Sequence, residues 1–152
     1  MRGAFDGSRL DATGAPGDDR VVTWIPLPTL PLAHRRLSLA PGYHACPETG
    51  DVRNARGRIL MQRAAGGRGA LAIHVWGQTG GAHRRRKSTT TAARVIALGL
   101  LAGGLVEPPN PQTHLERASL IDARWPPRWD NLAWQGRRGT PRIPLVLTQA
   151  GR

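Results

Sequence analysis

Apolar residues in this chain fall into short, interrupted groups. Leu71 to Trp76 (Leu-Ala-Ile-His-Val-Trp) is a branched run bounded by Gly69 and Gly77, which is the pattern of a strand. A Gly- and Arg-rich stretch follows, and then Ser88 to Leu105 carries Ala92, Ala93, Val95, Ile96, Leu98, Leu100 and Leu101. That set predicts a helix stopped by Gly103-Gly104 and sealed by Pro108-Pro109. Val21 to Pro41 is also rich in apolar residues, but Pro26, Pro28, Pro31 and Pro41 remove ladder donors and fix φ. An extended, polyproline-like course is expected there instead of a central strand. Near the C-terminus Trp125, Trp129 and Trp134 alternate with Arg124, Arg128, Arg137 and Arg138, and Pro126-Pro127 forbids a continuous helix.

Composition weakens the case for a core. Leu, Ile, Val and Phe number only 31 of 152 residues, about a fifth, while 19 Gly and 13 Pro add breakers throughout. With a net charge of +12, this composition borders on disorder. The expected fold class is therefore a largely irregular, low-order chain with one short strand-loop-helix unit at about 70–105 and no large core. Residues 1–50 are expected to be Pro/Gly-rich and mostly irregular, 51–106 a basic segment holding that unit, and 107–152 a Pro/Trp/Arg-rich tail.

Charge is unevenly placed. Residues 1–50 carry five bases and five acids, 51–100 ten bases and one acid, and 101–152 seven bases and four acids. No acid occurs between Val52 and Arg94, so a compact form needs an anionic partner or solvent screening. His83-Arg84-Arg85-Arg86-Lys87 is the densest cationic run, able to neutralise several phosphates through counterion release. Indole rings stack on bases and settle at lipid headgroups, which gives the Trp/Arg tail a similar reading. The expected activity is weak, salt-dependent, non-specific binding of nucleic acid or another polyanion. The residues expected to carry it are Arg84, Arg85, Arg86, Lys87, Arg124, Trp125, Arg128, Trp129, Trp134, Arg137 and Arg138. No catalytic constellation, metal ligand set or cofactor is expected; the reading leans away from an enzyme, and the chain reads as a monomer. Lys87 is the only lysine among 22 basic residues, the ratio that a GC-rich coding bias produces, so a reading frame without selected function also fits.

Cys46 has no partner cysteine, which excludes a disulfide scaffold. Met1 to Arg20 contains four Asp and no apolar run, so no secretory leader is expected there and a cytoplasmic location is favoured. Residues 92–106, preceded by the cationic run, also read as a membrane-associated segment, although the twelve uncharged residues from Val95 to Val106 are too few to span a bilayer.

Residues 71–112 resemble the start of the partition ATPases, the deviant P-loop proteins that sort plasmids and division sites. In that family a strand runs into a Gly-Gly loop, a Lys-Ser/Thr-Thr-Thr helix start, a helix and a strand ending near Asp-Pro-Gln. The matching residues are Leu71 to Trp76, Gly80-Gly81, Lys87-Ser88-Thr89-Thr90, the helix to Ala102, and Asn110-Pro111-Gln112. Gly81 to Ser88 has the spacing of a Walker A loop, with Arg86 at the second glycine position. Pro108 and Asn110 occupy the places of the family's magnesium-site acids. The resemblance implies a truncated or decayed nucleotide-binding protein in which Gly81, Lys87 and Ser88 hold ATP and magnesium.

Overall fold

The computed structural model describes residues 23–32, 36–65, 70–79 and 85–152. Among them it shows a mainly β protein with ten strands, three antiparallel sheets and one α-helix. The expectation of a largely irregular chain with a single strand-loop-helix unit and no large core is overturned by these sheets and by a continuous buried cluster of 24 apolar residues.

The first sheet joins β1 (Ile25–Pro26), β3 (His44–Cys46) and β4 (Asp51–Arg53) in the order β1-β3-β4. The second is built on the long strand β6 (Ala70–Gln78). One edge of β6 pairs with β7 (Arg85–Thr91), and β2 (Ser38–Leu39) and β5 (Arg63–Ala65) also pair with it, at opposite ends. The third contains β8 (His114–Leu120), β9 (Leu132–Gly136) and β10 (Ile143–Pro144) in the order β10-β9-β8. The helix α1 (Ala92–Ala102) contacts strands of all three sheets and is the hub of the core.

Proline does not exclude sheet structure from the 23–32 segment because it occupies the outward positions. Ile25, Leu27, Leu30 and Leu32 are buried, whereas Pro26, Pro28 and Pro31 are exposed. The backbone bonds come from the intervening residues: Leu27 N donates to the Tyr43 carbonyl at 2.9 Å, and Leu32 N to the Leu37 carbonyl at 2.9 Å. A missing donor costs nothing where the N–H would face away from the ladder, and β1 is an edge strand. Small residues fill the rest of the core: Ala45, Cys46, Ala92 and Ala97 are wholly buried. A count of large aliphatic residues therefore understates the apolar surface that closes this fold.

The helix begins later than its alanine and leucine content suggests. Thr89, Thr90 and Thr91 are β-branched and prefer extended backbone, so β7 continues to Thr91. Thr91 then serves as N-cap, its hydroxyl accepting from Arg94 N at 3.3 Å. At the other end Gly104 has φ +70, Leu105 N donates to the Leu100 carbonyl at 2.9 Å, and Gly104 N to that of Leu101 at 3.0 Å. These bonds form the six-to-one and five-to-two pair of a Schellman stop. Eight of the eleven helical residues are buried, so α1 is a core helix. At about 1.5 Å per residue it is roughly half the thickness of a bilayer core. Among the described residues no helix is long and apolar enough to cross a membrane.

Candidate nucleic-acid interface

The β6–β7 pair has two chemically opposite faces. In an antiparallel ladder, residues directly opposite each other point to the same side. Ile73 pairs with Thr90 and Val75 with Ser88, and this side turns inward, where Ile73, Val75 and Thr90 are all buried. Gly77 lies on the same side because a Cβ there would approach Leu32 Cδ1 to 2.8 Å and Leu37 Cβ to 3.2 Å. The outward rows are His74 with Thr89, Trp76 with Lys87, and Gln78 with Arg85. His74, Trp76, Arg85, Lys87 and Thr89 are exposed. Ser38 extends the Gln78 row on β2, and exposed Arg63 lies opposite Ala72 on β5. No Asp or Glu occurs on β2, β5, β6 or β7.

Trp76 stands at the middle of this face with 42% exposure, and its backbone is fixed. Its N–H donates to Tyr43 Oη at 2.8 Å, and its carbonyl accepts from Ala40 N at 2.9 Å. Tyr43 and Ala40 are both buried, so the core holds the strand beneath the indole. Lys87 Nζ lies 5.7 Å from the ring centroid. That distance is near the outer limit of a cation–π contact, and an exposed pair of this kind contributes only about 0.5–1 kcal/mol. His74 Nδ1 and Thr89 Oγ1 are 3.2 Å apart, in the row of the same face next to Trp76 and Lys87. Trp24, just before β1, is half-buried, and the Arg53 guanidinium lies closer over its ring, at 4.3 Å from the centroid.

The two regions read from sequence as polyanion-binding are placed very differently. Arg85 and Lys87 lie side by side on the outward face, two residues apart along β7, and exposed Arg86 falls on the alternate side opposite Gly77. Arg84 and Gly81 lie outside the described residues. Lys87 and Ser88 sit in mid-strand, and the N-terminus of α1 comes after them at Thr91.

In the tail, Arg124 forms a fork on Asp122, with Nε to Oδ1 at 3.1 Å and Nη2 to Oδ2 at 2.8 Å. The fork, together with the Arg124 backbone N–H, holds the Asp122 carboxyl down at about 2. Arg128 faces Asp130 at 3.5 Å. Arg137 Nη2 donates to the Pro111 carbonyl at 3.1 Å, while Arg138 is exposed. Trp134 is 2% exposed and part of the core, so its ring cannot reach a ligand. Trp129 is half-buried against the same core, and Trp125 is 61% exposed.

Trp76, His74, Thr89 and Arg63 escaped the sequence reading as binding residues. The signal was the alternation of His74, Trp76 and Gln78 with Ile73, Val75 and Gly77: a two-sided strand places its aromatic outward when the branched residues turn in. Among the described residues no group of three or more His, Cys, Asp or Glu is placed to hold a metal ion. Comparison with protein-family models, curated proteins and solved structures found no match.

Proposed function

We propose that the protein binds polyanions, nucleic acid foremost, on the outward face of β5, β6 and β7. One observation carries the reading: exposed Arg63, Arg85 and Lys87 share that face with an exposed Trp76, and no carboxylate lies on its strands. Cations on a sheet that have no carboxylate partner among the described residues concentrate positive potential, and phosphates relieve their mutual repulsion by displacing counterions. The sheet surrounds the cations with threonine, glutamine and histidine, all able to bond phosphate or sugar oxygens without sequence preference.

Three phosphate contacts predict a slope of about −2 in log affinity against log salt for a single strand. Anisotropy of a labelled oligonucleotide measured across a salt series tests this. The double substitution Arg85→Ala/Lys87→Ala is expected to weaken binding at least tenfold at low salt and to flatten the slope to about −0.7. An unchanged affinity and slope in that variant would remove the proposed face from consideration.

A further inference from the structure

Resting on that polyanion reading, we infer that the face is built for single-stranded nucleic acid, with one unpaired base stacked on Trp76. Charge alone does not explain the indole. From Ile73 to Gln78 strand β6 is otherwise sorted cleanly, with Ile73, Val75 and Gly77 inward and His74 and Gln78 outward, and the largest apolar side chain of the strand stands on the wet side. Its backbone N–H and carbonyl are both tied to buried neighbours, so the ring projects from a fixed base. A flat aromatic surface presented rigidly to water suits another flat ring, and every nucleobase has such a face.

The cations are spaced for the strand that carries such a base. Arg85 and Lys87 alternate along β7, which sets their Cα atoms about 7 Å apart, the separation of successive phosphates along an extended single strand. Lys87 is directly across from Trp76 and Arg85 is the diagonal neighbour, so a base on the indole leaves its flanking phosphates within reach of both. Lys87, at 5.7 Å from the ring centroid, moves to a phosphate at little cost. On the other side of Trp76, the His74–Thr89 pair offers a ring nitrogen and a hydroxyl to the edge of the stacked base. A duplex satisfies the cations but hides its base faces within the stack, and therefore leaves Trp76 unused.

The test compares a short oligothymidylate, an abasic phosphodiester of the same length and a duplex of the same length, each titrated against the full chain. The wild-type protein is expected to bind the base-bearing strand about tenfold more tightly than the abasic one. Trp76→Ala should erase that difference without changing abasic binding, and Trp76→Phe should keep most of it. Trp76 is 42% exposed and lies outside the buried core cluster, so both variants are expected to fold, which a thermal melt checks. Equal affinity for the base-bearing and abasic strands overturns the stacking inference while leaving the polyanion reading intact. Binding to none of the three overturns both. A duplex that binds as tightly as the single strand and also weakens in Trp76→Ala overturns the preference for unpaired bases.

Discussion

The β6–β7 pair and the tail from Asp122 to Arg138 both set arginines near tryptophans, but the tail also carries Asp122 and Asp130, and the fold uses the two regions in opposite ways. On β7 the cations share a sheet whose strands carry no Asp or Glu, and they lie beside an indole that is 42% exposed. In the tail two arginines are matched to carboxylates two residues away, a third bonds a backbone carbonyl, and one of the three rings is interred. Asn131 completes the tail's self-sufficiency: its Nδ2 donates to the carbonyls of Asp122 at 2.9 Å and Pro126 at 3.1 Å, and its Oδ1 accepts from Asp122 N at 2.9 Å. Composition measures which groups are present. Binding depends on which of them the fold leaves unpaired.

The sharpest contrast is in stability. Trp134→Ala empties a buried site and is expected to cost about 3–5 kcal/mol, while Trp76→Ala should cost less than about 1 kcal/mol. Denaturant titration of the two variants reads this directly, and similar losses would mean that Trp76 is also a packing residue. Next in size is Gly50→Ala, which should destabilise by about 2 kcal/mol or more. Gly50 has φ +83, and a Cβ there would meet the Pro127 backbone at 3.0 Å, at the seam where the first sheet touches the tail. Polyanion binding should survive this substitution in the fraction that stays folded, because the seam is remote in sequence and sheet from β7.

Single-charge effects are smaller. Lys87→Ala should weaken oligonucleotide binding about three- to tenfold, and Arg124→Ala less than twofold, because the Arg124 guanidinium is already engaged by Asp122. The least effect concerns pH. The Asp122 carboxyl is lowered from 3.8 to about 2 in the folded chain, so its ion pair stabilises the fold above pH ~4 and ceases to do so as pH falls through about 2. The stability difference between wild type and Arg124→Ala should therefore be flat above pH ~5 and close towards zero near pH 2. The pair is solvent-exposed, so high salt should shrink it at every pH.

The sequence made β6 and the end of α1 legible because both are local signals, a branched run between glycines and a Gly-Gly stop. The start of α1 was misplaced because helix formers downstream obscured three consecutive threonines, whose β preference prevails once β6 is there to pair with them. The first sheet was illegible for a different reason. Its strands are only two or three residues long, and Ile25 and Leu27 between outward prolines resemble a breaker sequence until Tyr43 supplies the facing backbone group; Leu30 and Leu32 do the same against Leu37 and Leu39 beside the second sheet. At the candidate site, Arg85 and Lys87 could be named from charge density. The role of Trp76 could not, because it depends on the register that sets it opposite Lys87, and the burial of Trp134 depends on long-range packing in β9.

Amide chemical-shift mapping with a short single-stranded oligonucleotide at low salt tests most directly whether the open sheet face, rather than arginine content, carries the binding. Shifts confined to Arg63 and to residues 72–78 and 85–91, with Asp122 to Arg138 unmoved, are the expected result. Shifts centred on the tail, or spread evenly over every arginine-bearing segment, would contradict it.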